Sequence, residues 1–202
     1  GQVRAGYVGT PYPDVECRLS EQGEVLVKTP GAMMGYFKSP EETREAFTED
    51  GYVRTGDRGE IDELGRLKIT GRTKELFKTS KGKYIAPAPI ENQLVNHPRI
   101  ELCCVAGAGQ PQPNAVVQLS EQARASGAER ESITRELEAH LNAVNARLET
   151  HERLQFILVA REGWTPENGF LTPTLKIRRH AIEEAYAAEC EQSYAAKQSV
   201  IW

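Results

Sequence analysis

The strongest periodic signal in the chain lies between residues 129 and 150. Ile133, Leu137, Leu141, Val144 and Leu148 recur at spacings of 4, 4, 3 and 4. That spacing draws one apolar stripe along an α-helix and predicts a helix buried on one side. The first third of the chain is patterned differently. Residues 23–29 alternate apolar and polar positions, as a half-buried strand does. Residues 58–62 and 66–70 flank Glu63-Leu64-Gly65, a strand–turn–strand pattern with glycine where a left-handed residue is often required. Ser39-Pro40-Glu41-Glu42 predicts a short helix, with an N-cap serine, a proline at the first helical position and a capping-box glutamate. Asp50-Gly51 marks a turn after it. A small β-rich unit follows from these elements.

Beyond about residue 70 the pattern mixes helix and strand. Residues 89–95 predict a short helix stopped by His97-Pro98. Residues 100–106, 114–119 and 154–160 predict strands, and 182–197 predict a final helix. Alternating strands and helices imply a sheet covered by helices on at least one face. The expected fold class is α+β: a β-rich subdomain over 1–72, then a compact α/β domain over 73–202 with a mixed sheet flanked by helices. The boundary falls near Gly71-Arg72-Thr73-Lys74.

Composition narrows the classes of function. The 202 residues are 39% hydrophobic and 27% charged, with a net charge of −4. This is an ordinary globular balance, without the basic excess of a nucleic-acid binder. No apolar run reaches the roughly 20 residues of a membrane span, and Gly1-Gln2-Val3-Arg4 does not open a signal peptide. A glycine start suggests a trimmed chain or a fragment. Cys17, Cys103, Cys104 and Cys190 show neither C-x-x-C pairing nor a histidine at zinc spacing, so no metal site is expected. They suit small buried hydrophobes in a reducing cytoplasm. Cys103 and Cys104, adjacent in one predicted strand, should face opposite sides of it.

Three segments carry candidate chemistry. In Gly51-Tyr52-Val53-Arg54-Thr55-Gly56-Asp57, a Thr-Gly-Asp turn can present a carboxylate able to accept hydrogen bonds from two sugar hydroxyls. Taken alone, it also reads as an ordinary turn between strands. In residues 72–83, Arg72, Lys74, Lys78, Lys81 and Lys83 stand against a single acidic residue, Glu75. That cluster suits a phosphate-bearing ligand, or equally a solvated basic loop. In Asn168-Gly169-Phe170-Leu171-Thr172-Pro173-Thr174-Leu175-Lys176, a loop delivers one lysine just ahead of a helical segment. Its ammonium can reach charge developing on phosphate and carboxylate oxygens, or can be a plain surface lysine.

Together and in this order, these segments resemble the adenylate-forming superfamily of acyl-CoA synthetases, peptide-synthetase adenylation domains and firefly luciferase. The resemblance runs from Val8-Gly9-Thr10-Pro11-Tyr12-Pro13 to about Tyr186 and includes Met34-Gly35-Tyr36-Phe37. The run Gly71-Arg72-Thr73-Lys74-Glu75-Leu76-Phe77-Lys78-Thr79-Ser80-Lys81-Gly82-Lys83-Tyr84, with Leu171 to Lys176 later, looks most like long-chain fatty acid–CoA ligases. Shorter-chain relatives usually carry Ser-Gly-Lys where this chain has Thr174-Leu175-Lys176.

The resemblance implies an AMP-forming acid–thiol ligase using ATP, CoA and a fatty acid. By position, Asp57 would bind the ribose hydroxyls, Arg72 would contact ribose or phosphate, and Lys74 would be the hinge. Lys176 would serve acyl-adenylate formation. Gly82, within Ser80-Lys81-Gly82-Lys83-Tyr84, would let the pantetheine arm of CoA pass close to the backbone in thioester formation. The family's upstream phosphate loop and its magnesium-holding glutamate segment are not among these 202 residues. Mg2+, the acyl tunnel and the adenine pocket are therefore expected on an absent N-terminal domain, which would be the chain's own partner. The chain alone is expected to be inactive. No nucleic-acid partner is expected, while the resemblance leaves room for peripheral membrane association of the full-length protein. A ligase for an aryl or medium-chain acid, and a non-catalytic binding or regulatory module of the same fold, are the alternatives.

Overall fold

The structure is a computed structural model that describes residues 6–125, 130–196 and 198–202. Glu129 and Lys197, at the ends of two predicted helices, lie outside the described residues, as do residues 1–4. The chain divides into two compact units, Gly1–Leu76 and Phe77–Trp202.

The first unit is built on an antiparallel sheet in the order β1 (Glu16–Leu19), β2 (Glu24–Lys28), β3 (Val53–Ile61) and β4 (Leu67–Arg72). Helix α1 (Pro40–Ala46) lies between β2 and β3 in sequence, and a single 3-10 turn, Thr73–Glu75, follows β4. Among the described residues of this unit, the buried hydrophobic ones are Val25, Leu26 and Tyr52. Val25 packs where β3 comes nearest, because Gly59 has no side chain. A Cβ there would lie 2.8 Å from Val25 Cγ2 and 2.9 Å from both Leu67 Cδ1 and the Lys68 carbonyl.

The β3–β4 turn is as expected, with Gly65 at φ +73°. Its stiffness comes from Asp62, whose carboxylate accepts from the backbone N–H of Leu64 and Arg66 and from Arg66 Nε at 2.8 Å. Arg66 and these N–H groups hold the Asp62 carboxyl below the usual range. The capping box expected for α1 is not made. Ser39 is the N-cap residue but its hydroxyl caps nothing. Instead, the Thr43 hydroxyl donates to the Ser39 carbonyl at 2.8 Å and accepts from Tyr36 N–H at 2.9 Å. One threonine thus ties the helix to the chain that enters it.

The second unit opens with a two-stranded ribbon, β5 (Phe77–Lys78) and β6 (Tyr84–Ile85), and helix α2 (Pro87–Leu94). Next come β7 (Ile100–Ala106), β8 (Asn114–Leu119), α3 (Glu121–Ala125), α4 (Arg130–Asn145), β9 (Ile157–Val159), α5 (Arg179–Ala195) and β10 (Val200–Ile201). The mixed sheet has the order β10-β9-β8-β7, antiparallel between β7 and β8 and parallel elsewhere.

Helices cover both faces of this sheet. On one face, Ile90 and Leu94 of α2 and the predicted α4 stripe pack with Cys103, Val105, Val117 and Ile157. On the other, Ile182 and Tyr186 of α5 pack with Cys104, Val116, Leu158 and Trp164. Cys103 and Cys104 therefore do face opposite ways. Helix α4 stops before residue 150 because the Asn145 side chain turns back onto the chain: it accepts from Leu154 N–H at 2.8 Å and donates to the Leu154 carbonyl at 2.9 Å. Leu148 stays buried beyond the helix end. The last residues are anchored: Val200 pairs with Ile157, and the Trp202 indole donates to Thr134 Oγ1 at 2.9 Å under the Arg130 guanidinium.

Candidate active-site elements

Thr55-Gly56-Asp57 lies within strand β3 and is not the turn that its composition suggested. Gly56 adopts φ +73°, and the β2–β3 register breaks between Glu24 and Leu26, so the strand bulges at this point. Three hydrogen bonds hold the bulge. Gly56 N–H donates to Glu24 Oε1 at 3.1 Å, the Thr55 hydroxyl to the Val25 carbonyl at 2.8 Å, and Asp57 N–H to Thr55 Oγ1 at 3.1 Å. A bulge of this kind re-aims the side chain that follows it. Here that side chain is Asp57.

Across the β3–β4 ladder, Asp57 is the direct partner of Arg72. Arg72 Nε lies 3.5 Å from Asp57 Oδ1, with the side chains 55% and 36% exposed. The carboxylate is oriented by a cation yet keeps room to accept hydrogen bonds from a ligand. Arg72, Gly56, Arg54, Tyr36 and Lys74 border an open groove of about 690 Å³ within the first unit. Lys74 itself is exposed on the 3-10 turn, two positions before the first unit ends. The structure thus brings Asp57, Arg72 and Lys74 into one neighbourhood.

Gly82 and Lys176 sit on separate loops of the second unit. Gly82 has φ +76°, and no atom lies within 4 Å of where its Cβ would be. The loop before it is closed by Thr79, whose N–H donates to the Lys83 carbonyl at 2.9 Å and whose hydroxyl accepts from Lys83 N–H at 3.2 Å. Ser80 N–H donates to the Gln110 carbonyl at 2.9 Å, tying this loop to the β7–β8 connection. Gly82 therefore leaves open backbone on a braced turn. Lys78, Lys81 and Lys83 are exposed around it.

Lys176 is exposed near the tip of a small hairpin that bridges Leu171 and Ile177. Thr172 N–H donates to the Lys176 carbonyl at 2.8 Å, and Lys176 N–H donates to Thr172 Oγ1 at 3.1 Å. The buried Leu171 fastens one arm of the hairpin to the core. The other arm runs straight into α5, at Arg179.

A further element of this architecture joins residues far apart in the sequence. Arg179 grips Glu91 with two parallel hydrogen bonds, Nη1 to Oε1 at 2.7 Å and Nη2 to Oε2 at 3.1 Å. The same pair binds both backbone groups of Val105 on the edge strand β7. Glu91 Oε1 accepts its N–H at 2.7 Å, and Arg179 Nη1 donates to its carbonyl at 3.0 Å. A sheet edge is thereby satisfied by side chains, and the start of α5 is locked to α2 just past the Lys176 hairpin. No local periodicity could report a pair separated by 88 positions.

Among the described residues, no group of three or more His, Cys, Asp or Glu is placed to hold a metal ion. Also among the described residues, no helix is long and apolar enough to cross a membrane. Burial pushes the Cys104 thiol up to about 12 and the Cys190 thiol up to about 11.

Residues 75–198 match the family described as AMP-binding enzyme, C-terminal domain. The chain belongs to that family. The resemblance read from the motifs is borne out over the greater part of the chain. The long-chain-fatty-acid–CoA ligase FadD15 of Mycobacterium tuberculosis is 33% identical over 95% of this chain and 34% of its own length. The human long-chain-fatty-acid–CoA ligase 6 is 28% identical over 96% of this chain and 32% of its own. The chain thus spans about a third of the length of the curated relatives it matches. Among solved structures, the A-PCP didomain of carboxylic acid reductase from Segniliparus rugosus, in complex with AMP, aligns with a TM-score of 0.76. It is 25% identical and is matched over 92% of this chain and 28% of that one. The mixed α/β architecture is therefore that of adenylate-forming enzymes.

Proposed function

We propose that this chain is the carboxy-terminal part of an ATP-dependent acid–thiol ligase that acts on long-chain fatty acids and CoA. The observation that carries the reading is the placement of Asp57 opposite Arg72: a bulge-aimed carboxylate stands beside a guanidinium that borders an open groove. This arrangement suits a nucleotide: Asp57 accepts hydrogen bonds from the two ribose hydroxyls, and Arg72 meets ribose or phosphate oxygen. The choice of long-chain acids rests on relatives whose names carry that activity, at 28–33% identity.

In this reading a fatty-acid carboxylate oxygen attacks the α-phosphorus of ATP, and the bond to the pyrophosphate oxygen breaks. Lys176 neutralises the oxygens as two anions approach, the kind of preorganised electrostatic help that matters most where water is excluded. The thiol of CoA then attacks the acyl carbonyl, releasing AMP. Gly82 serves this second step by exposing backbone along which a pantetheine arm can lie. Lys74 is the hinge, so that rotation about it presents first the Lys176 loop and then the Gly82 loop. Magnesium, the acyl tunnel and the adenine pocket belong, in this proposal, to the larger part of the full-length protein. The chain alone does not adenylate, and the full-length protein works in the cytoplasm.

The test is to supply the full-length protein with ATP and a series of carboxylic acids. Acid-dependent release of pyrophosphate, greatest with long-chain fatty acids, is the expected result. Preference for aryl or medium-chain acids would overturn the substrate class and leave the ligase reading standing. Loss of pyrophosphate release with every acid would overturn both.

A further inference from the structure

The Lys176 hairpin contains a conformational contradiction. Its loop is three residues long, Pro173-Thr174-Leu175, closed by the hydrogen bonds between Thr172 and Lys176. A three-residue hairpin loop of this type needs a left-handed residue at its last position, normally glycine. Leu175 holds that position at φ +60°. A leucine there is strained, because its Cβ crowds the neighbouring carbonyl. Asp14 and Lys38 are the other described non-glycine residues with positive φ, and Leu175 is the apolar one. Its side chain is 65% exposed, so burial in this structure does not offset the strain.

The surroundings nevertheless enforce the conformation. Leu175 N–H donates to the Thr172 carbonyl at 2.8 Å, the Thr172 hydroxyl bonds both Lys176 N–H and Thr174 Oγ1, and Leu171 anchors the arm. The hairpin is over-determined around a residue that its backbone disfavours. Residues held in such sparsely populated conformations cluster at active sites, ligand clamps and switch regions.

We propose that Leu175 is a positioning residue: an apolar latch that becomes buried when Lys176 enters the substrate site and so holds the lysine there during acyl-adenylate formation. This rests on the role proposed for Lys176. An exposed leucine adjacent to a lysine that must leave water will be desolvated with it, and burial of its side chain favours the engaged arrangement over the open one. The same side chain gives nothing to the second half-reaction, in which the Lys176 hairpin is withdrawn.

Leu175→Gly separates the two properties of the residue, because glycine satisfies the turn and removes the latch. In the full-length protein, acid-dependent ATP–pyrophosphate exchange should fall by roughly ten- to a hundredfold, the range that burying one leucine side chain spans. Thioester formation from supplied acyl-adenylate should stay at its original rate or rise, and thermal stability should not drop. Leu175→Met, which keeps an apolar side chain, should restore most of the exchange.

Unchanged exchange in Leu175→Gly would overturn the proposal, as would equal loss in both half-reactions. Lys176→Ala is assayed alongside. If it leaves exchange intact, the lysine's own role fails and the latch falls with it. If Lys176→Ala abolishes exchange while Leu175→Gly does not weaken it, the latch alone is wrong.

Discussion

Asp57 and Arg72 stand directly opposite each other on adjacent antiparallel strands, with Arg72 Nε 3.5 Å from Asp57 Oδ1. Both side chains are substantially exposed, so the pair adds little to folding: an exposed ion pair contributes about 0–1 kcal/mol. In the proposed function its value lies in presenting a carboxylate to the nucleotide at a set angle. Asp57→Ala in the full-length protein should therefore raise the KM for ATP by at least about tenfold, since each hydrogen bond to a charged group is worth about 1.5–3 kcal/mol. Its unfolding midpoint should move little. A large drop in midpoint with unchanged KM would assign Asp57 to structure.

Glu91 and Arg179 should behave in the opposite way. Their side chains are only 13% and 16% exposed and hold both backbone groups of Val105. Removing either partner strands the other's charge, so Arg179→Ala should destabilise the protein by about 3–5 kcal/mol. Because the two act as a unit, the Glu91→Ala/Arg179→Ala double variant should lose less than the sum of the single losses. Urea unfolding of the four proteins reads this directly, and strict additivity would show that the pair is not coupled.

Gly59 tests the packing of the first unit. A Cβ there would stand 2.8–2.9 Å from Val25, Leu67 and the Lys68 carbonyl. Gly59→Ala should cost about 1–3 kcal/mol through overpacking, measured as a lowered denaturation midpoint. Tolerance of alanine would mean that β3 and β4 can part at no cost.

The buried thiols predict an alkaline limit to stability. Burial raises Cys104 from 9.0 to about 12, and Cys103 is raised as well. An unfolded thiol loses its proton near the ordinary value, while the folded ones keep theirs. Above about pH 9 the unfolded state thus binds fewer protons, and stability falls as pH rises toward 12, by at most about 1.4 kcal/mol per pH unit for each such thiol. Below pH 9 these thiols contribute no slope. Urea midpoints measured from pH 8 to 10.5 on wild type and Cys104→Ala should diverge in slope only in the upper part of that range.

Much of the second unit was legible because its residues repeat. The α4 stripe reached the core as its spacing required, and Cys103 and Cys104 faced opposite layers because strand side chains alternate. Elements of two to five residues, such as β1, β5, β6, α3 and β10, are too short to show a period. The end of α4 was set by Asn145 reaching Leu154, and the start of α1 by Thr43 in place of Ser39. Both are side-chain choices that propensity does not distinguish. The site was legible only as motif wording: nothing in the composition of Thr55-Gly56-Asp57 announces a bulge in place of a turn. Arg72 became its partner through a register that the ladder alone reveals.

The central claim is that Lys176 serves one half-reaction of an acid–thiol ligase and not the other. It is tested most directly by assaying Lys176→Ala in the full-length protein for both steps. ATP–pyrophosphate exchange with a long-chain fatty acid should fall by about 10²–10³-fold, the usual consequence of removing one preorganised charge-stabilising group. Thioester formation from supplied acyl-adenylate and CoA should stay within about twofold, since the proposed role gives the lysine no transition-state contact in that step. Equal loss in both steps, or exchange left intact, would contradict the account.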